Sequence, residues 1–408
     1  MSLASETLRR TVLPADQAGR EIHPAIFTEA VRGARLQSID FLRGLVMVLM
    51  ALDHTRDFFS ATGLNPRDVA DPALFLTRWI THFCAPAFIF LAGISAFLYG
   101  DQRRTTAEIS RYLFTRGFWL IAIEFTVVRF GWTFSVHFNH LVVQVIAAIG
   151  ASMIALSALV YLPRSAIATV GLLMIVGHNM LDGIKAEQFG IASPLWGLLH
   201  QPGYFDLSPS FKLAVLYSLV PWIGVMAAGY ALGPVFKLER ATRVRRLFVL
   251  GIAISASFIL LRATNLYGDP MVSTAHPSTL TTVLSFINCE KYPPSLLYLA
   301  MTLGPMLLLA AATDSARGRF ANWIATFGGV PFFYYIAHLY LLHILAVLFA
   351  WATIGNVAFT ASQKPEGFGI GLVGIYAVWL TVVITLYPLC RWFAAIKQRH
   401  TEWWWSYL

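Results

Sequence analysis

The sequence predicts an all-α fold, a polytopic transmembrane helical bundle of about ten spans with both termini cytoplasmic, and three observations carry that prediction. Hydrophobic residues make up 57% of the 408 positions and charged residues only 12%, with a mean hydropathy of +0.64; a soluble domain carries about a quarter charged residues. Apolar segments of roughly 20 residues, enough to cross about 30 Å of hydrocarbon as helix, recur with no long polar interval between them. Basic residues collect in alternate short loops, the pattern of a chain threaded repeatedly through a bilayer.

Taken in order, the segments are expected at 38–57, 75–99, 112–131, 141–161, 165–182, 212–232, 247–263, 294–313, 329–350 and 370–390. Nineteen of the 30 lysines and arginines then fall on the side that carries the N-terminus, among them Arg9, Arg10, Arg20, Arg103 and the run from Lys237 to Arg246, and eight fall on the other side. That bias puts both ends in the cytoplasm. The expected organisation is a tail over 1–34, a membrane domain over 35–392 and a second tail over 393–408, where Trp403, Trp404, Trp405 and Tyr407 read as an interfacial anchor. Long connections at 58–74, 183–211 and 264–293 would roof the outer face.

The net charge of +9 is spread over these loops and forms no single patch, so nucleic acid is excluded as a partner. Cys84, Cys289 and Cys390 lie in or beside apolar stretches and show neither a disulfide framework nor a metal-ligand spacing, so no metal is expected. Nucleotide-binding, serine-hydrolase and zincin motifs are absent from the sequence.

The chemistry concentrates in the first span. At 100° per residue, Asp40, Arg43, Met47, Met50, His54 and Asp57 form one stripe, which must face the bundle because a charge at the bilayer centre costs about 2.5–3.5 kcal/mol. Arg43 and His54 are separated by a rise of about 16 Å, suited to a substrate that comes in from the inner side and presents its reactive end to His54. A neutral imidazole can take a proton near neutral pH, and the neighbouring Asp53 could hold it in one tautomer. Arg56, Arg78, His82, Glu124, Arg129, Trp132, Lys291 and His338 lie at similar depth or at the outer mouth. Each has a structural reading as well: Asp40 with Arg43 as a helix-mouth ion pair, Glu124 with Arg129 as mutual neutralisation, Tyr334 with His338 as a hydrogen bond between helical neighbours. Convergence of so many ionisable groups argues for a site.

The stretch Arg35-Leu36-Gln37-Ser38-Ile39-Asp40-Phe41-Leu42-Arg43-Gly44 resembles the start of the catalytic domain of the heparan-α-glucosaminide N-acetyltransferase family, and the resemblance continues through Pro86–Gly93 and Val330–Tyr334. Asp53-His54-Thr55-Arg56-Asp57 and Lys291-Tyr292-Pro293-Pro294-Ser295 are similar to its bacterial relatives. The family's lysosomal enzyme has an asparagine in place of His54 and its active histidine in the following loop, whereas 58–71 here holds no histidine, so heparan sulfate is not the expected acceptor. The resemblance implies a bacterial inner-membrane acyltransferase, with acyl-CoA, acetyl-CoA foremost, as cytoplasmic donor and a sugar or glycan as extracytoplasmic acceptor. In it His54 and Asp53 are catalytic, Asp40 and Arg43 bind the donor, and the other eight residues named above bind the acceptor. Membrane lipid surrounds the protein, and a homodimer is left open. The competing expectation is a transporter or proton-coupled permease that uses the same buried charges as a relay.

Overall fold

The computed structural model describes residues 24–407 except 62, 102, 103, 356, 358, 362, 401, 403, 404 and 406, with side chains from Ser38 onward. The N-terminal tail basic residues Arg9, Arg10 and Arg20, together with Arg103, Trp403 and Trp404, lie outside the described residues. Helices dominate: α1 (Pro24–Phe59), α2 (Pro72–Thr81), α3 (Cys84–Gly100), α4 (Thr106–Ile123), a π-helical turn (Glu124–Val128), α5 (Arg129–Thr133), α6 (Val145–Leu159), α7 (Arg164–Gly177), α8 (Ser193–Leu199), α9 (Leu219–Leu232), α10 (Arg240–Thr264), α11 (Thr279–Ile287), α12 (Leu296–Ala312), α13 (Arg319–Gly329), α14 (Pro331–Ile354) and α15 (Leu372–Arg399). Among the described residues, six helical stretches are long and apolar enough to cross a membrane: 72–100, 164–181, 219–237, 240–264, 331–354 and 372–399. Val145–Leu159 and Leu296–Ala312 are shorter apolar helices.

Local chemistry explains most boundaries. Asp71 caps α2 by accepting the Leu74 N–H, with Pro72 in the first turn, where its missing donor costs nothing. Thr105 and Glu108 form a reciprocal capping box at the start of α4. Ser295 caps α12 by accepting the Tyr298 N–H, and Pro293 and Pro294 precede the cap.

The structure departs from the expected segments in three places. The segment at 75–99 is broken between α2 and α3, where Pro86 lacks the N–H that would continue the ladder. Those at 141–161 and 212–232 begin as strands β1 (His140–Val143) and β3 (Phe211–Val215), which pair in parallel, while β2 (Gly203–Ser208) pairs antiparallel with β3. Finally, α13 precedes the segment at 329–350 as a separate amphipathic helix.

The seam between α1 and α13 positions the site. A Cβ on Gly44 would stand 2.0 Å from the Ile324 carbonyl oxygen, and one on Gly328 would stand 1.8 Å from that of Asp40. Only hydrogen fits at these points, so the two helices touch backbone to backbone, as small residues allow where the surrounding solvent is lipid.

Buried arginines fasten other elements. Arg243, in the first turn of α10, donates Nε to Asp314 Oδ1 at 2.6 Å and Nη2 to Oδ2 at 2.8 Å, tying α10 to the end of α12. Asp314→Ala leaves a buried guanidinium with little beyond the Leu238 carbonyl. We expect it to cost about 3–5 kcal/mol, read as a lower thermal midpoint in detergent, and Arg243→Met with Asp314→Leu to restore most of the loss.

Candidate active site

Of the first-span stripe, Met47, Met50 and His54 are buried and Asp40 and Arg43 partly so, while the Asp57 side chain is 42% exposed. Arg43 donates to Asp40 Oδ1 at 2.9 Å, to the Gly328 carbonyl at 3.0 Å and to Ser95 Oγ at 2.9 Å, so the sequence-expected ion pair exists but is one of three bonds. Beside it lies a cavity of about 300 Å³, bounded by Arg43, Met47 and Met50 of α1, by Arg116 and Lys397 at one end, and by Tyr335 of α14 toward the other. Its lining is mainly apolar, with cationic groups gathered at the Arg43 end.

His54 sits one turn beyond Met50 and is 9% exposed. Its ring is 5.9 Å from that of Tyr335, and Trp132 meets it edge-on at 4.9 Å. His54 Nδ1 lies 2.7 Å from His338 Nε2, and His338 Nδ1 lies 2.8 Å from the Tyr334 carbonyl oxygen. These two distances fix the tautomers. A carbonyl oxygen only accepts, so His338 Nδ1 carries hydrogen; in neutral His338, Nε2 is then the lone-pair nitrogen and must accept from His54 Nδ1–H. Neutral His54 is left with its lone pair on Nε2, which has no hydrogen-bond partner among the described residues.

Asp53 does not orient His54. Consecutive helical residues diverge by about 100°, and the Asp53 carboxylate instead receives Thr81 Oγ1 at 2.8 Å and Arg56 Nη2 at 2.7 Å, with Lys291 Nζ at 3.8 Å. The orienting partner is His338, 284 positions away in sequence.

The buried cations divide into two kinds. Arg129 donates to the carbonyls of His140 at 3.2 Å and Ser135 at 2.9 Å, and to that of His137, holding the loop after α5. Arg262 donates to the carbonyls of Phe286, Ser285 and Asn288 at 2.8, 3.0 and 2.9 Å and to that of Met271. Every nitrogen of these two guanidinium groups is engaged by a carbonyl. Arg78, by contrast, is 8% exposed, and its guanidinium makes no hydrogen bond or ion pair with any described residue; its backbone carbonyl accepts from Thr81 Oγ1. Arg56 pairs with Asp53 and Asp57 through Nη2 while its buried Nη1 has no hydrogen-bond partner among the described residues. Both ring nitrogens of His82, a residue 1% exposed, are also without a hydrogen-bond partner among the described residues. Lys291 completes the group; burial opposes its charge, but Tyr292 and Asp53 more than offset this and hold its pKa above the ordinary lysine value, so it is an ammonium at neutral pH.

The structure therefore gathers Asp53, His54, Arg56, Arg78, His82 and Lys291 around one region, with His338 and Trp132 against His54. It does not bring Glu124 or Arg129 into that group. Glu124 begins the π-helical turn and accepts the Ala147 N–H at 2.9 Å, capping the N-terminus of α6, where a carboxylate is favourable. The two do not neutralise one another. Tyr335, between the cavity and His54 with its buried hydroxyl unpartnered, escaped the sequence reading because an aromatic in an apolar helix looks like packing.

A bundle of apolar helices enclosing a largely apolar cavity with cations at one end, a histidine pair beyond the other and buried cations with free donors defines a membrane protein with a buried polar site of the kind that handles charged or polar small molecules. The chain belongs to the family described as heparan-alpha-glucosaminide N-acetyltransferase, catalytic, whose model matches residues 35–265, and so to a family of membrane acetyltransferases. The match takes in α1 through α10 and hence His54, Arg56, Arg78 and His82; Lys291, Tyr335 and His338 lie beyond it. No curated protein matches the chain.

Proposed function

We propose that this protein is an integral membrane acyltransferase that moves an acyl group, acetyl foremost, from cytoplasmic acyl-CoA to a hydroxyl or amine of a glycan-like acceptor on the far side of the bilayer. The observation that carries this reading is the His54–His338 pair set one turn beyond a cavity whose other end is ringed by Arg43, Arg116 and Lys397. Those three cations suit the phosphates of acyl-CoA, and the apolar walls between them and Tyr335 suit its pantetheine arm and acyl end. This reading places the Arg43 end at the cytoplasm and takes the ten apolar segments as ten spans, in line with the distribution of basic residues.

In this scheme His54 Nε2 accepts the acceptor's O–H or N–H proton as the oxygen or nitrogen bonds to the acyl carbon. The carbon–sulfur bond breaks, and the departing thiolate recovers the proton from His54. His338 fixes the ring, and Arg78, Arg56, His82 and Lys291 hold the acceptor or steady the charge that develops on the thioester oxygen.

Membranes containing the protein are expected to transfer radiolabel from acetyl-CoA to an acceptor fraction, with the product identified by mass spectrometry. Proton-driven flux through vesicles with no acyl donor, and no labelling, would favour the permease instead. Arg78→Gln should raise the acceptor KM about 10- to 100-fold with kcat little changed, as removal of a charged hydrogen bond worth about 1.5–3 kcal/mol predicts. An unaltered acceptor KM would remove Arg78 from acceptor binding.

A further inference from the structure

Away from the cavity, the end of α7 carries a second polar cluster that the acyl-transfer scheme does not use. His178 opens a 3₁₀ turn at Gly177, Asp182 follows that turn, and His200 caps α8 at the far end of a long connection. One donor atom from each of the three lies within 4.8 Å of the other two, so a point within about 3 Å of all three exists. A small rotation of the side chains brings that separation to the roughly 2.0–2.2 Å of a metal bond.

Hydrogen bonding within the protein leaves this cluster incomplete. His178 is 2% exposed, and among the described residues neither ring nitrogen makes a well-directed hydrogen bond: one is near the Pro294 carbonyl and the other meets no acceptor or donor, while the Nδ1 of the equally buried His200 has no partner. Burial of a nitrogen without a partner costs about 1–3 kcal/mol, and the Pro294 carbonyl can serve only one of the two His178 nitrogens, so hydrogen bonding leaves the other unsatisfied. His200 Nε2 does approach Asp182 Oδ1, at 3.0 Å, a separation that two ligands on one small cation also adopt. The other carboxylate oxygen, Asp182 Oδ2, accepts from Asn179 Nδ2 at 2.9 Å, the outer support that ligating carboxylates commonly have. The rings of His178 and His200 stand 5.7 Å apart at 61°, with Trp196 packed on His200 at 5.5 Å.

We infer that His178, Asp182 and His200 bind one first-row divalent cation, zinc by their donor set of two imidazoles and a carboxylate, with a fourth position left for water. Zinc favours nitrogen and oxygen donors in this number, whereas magnesium and calcium favour all-oxygen sites. The cation closes the connection from Asp182 to His200 into a loop. Asn179 links that loop to α12 by accepting the Leu296 N–H at 2.9 Å, directly after the segment that carries Lys291. The role assigned is structural, and the linear sequence hides it because His178 and Asp182 are four apart while His200 comes eighteen residues later, which matches no common zinc spacing.

The test uses the full chain, purified in detergent with an affinity tag free of histidine, stripped with EDTA and then equilibrated with zinc or cobalt. Elemental analysis should find about one zinc per chain, thermal unfolding should shift upward on zinc return, and cobalt should give the visible absorption of a four- or five-coordinate site. His178→Gln and His200→Gln should each lose the metal and the thermal shift. Asp182→Asn, which keeps the side-chain shape, guards against misfolding and should weaken zinc binding at least tenfold. Zinc content no higher in the parent than in the His178→Gln chain, or a thermal midpoint indifferent to zinc, overturns the assignment. Acyl transfer plays no part in these readouts, so the two proposals stand or fall separately.

Discussion

His54→Ala should reduce acyl transfer by about 10²- to 10⁴-fold, the range that positioned proton transfer supplies, while leaving the amount and the thermal midpoint of the folded protein near those of the parent. The reasoning rests on the unoccupied Nε2. His54 is the one group in the gathered cluster whose lone pair is available at neutral charge and whose orientation is fixed from behind, by His338 at 2.7 Å. His338→Ala should cause a smaller loss, concentrated in kcat, because the ring remains but is free to choose either tautomer. Initial rates with labelled acetyl-CoA, normalised to folded protein, decide the matter. Equal rates for His54→Ala and the parent would refute the proton-transfer role outright.

The largest structural effect is expected at Gly328. The added methyl of Gly328→Ala would stand 1.8 Å from the Asp40 carbonyl oxygen and 2.7 Å from the Gly44 nitrogen, both of them backbone atoms that cannot swing aside. The helices must part, and the cost should exceed about 3 kcal/mol, the upper end of ordinary overpacking. Parting them also withdraws the Gly328 carbonyl from Arg43, loosening the wall of the cavity. The control is its neighbour: a Cβ on Gly329 meets nothing within 4 Å, so Gly329→Ala should retain the parent's elution profile and thermal midpoint. If both alanine variants unfolded at the same temperature, the backbone seam would not be the constraint described here.

Much of the architecture can be read from residue order, because a helix in lipid must be apolar over a fixed length. Each of the ten apolar segments is occupied by helix over most of its extent. What escaped was short or mixed in character. An apolar run of four or five residues, such as His140–Val143 or Phe211–Val215, has no period by which strand can be told from helix, so β1 and β3 were absorbed into neighbouring helices. Arg319-Phe320-Ala321-Asn322-Trp323 looks like a connection, and only its tight seam with α1 shows why α13 forms.

The site was legible to a similar degree. The Asp40–His54 stripe follows from periodicity, and the side chains it singled out do face the interior. Distinguishing Arg78 from Arg129 did not follow, because both are arginines near the same end of a span. One guanidinium has each of its nitrogens engaged by loop carbonyls and the other has none engaged, a difference that depends on where remote backbone turns. The pairing of His54 with His338 is equally remote, and Asp53, the adjacent carboxylate, was the natural but mistaken choice for the orienting group.

The anchor behind that pair has a consequence for how the protein tolerates change. Tyr334 contributes a main-chain oxygen, four residues before His338 within one helix. Any residue that keeps α14 helical presents the same oxygen at the same place, so the polarity of both imidazoles is inherited from the helical repeat itself and needs no third side chain to maintain it. Drift at position 334 can therefore reshape the surrounding packing while the site's proton address stays where it is.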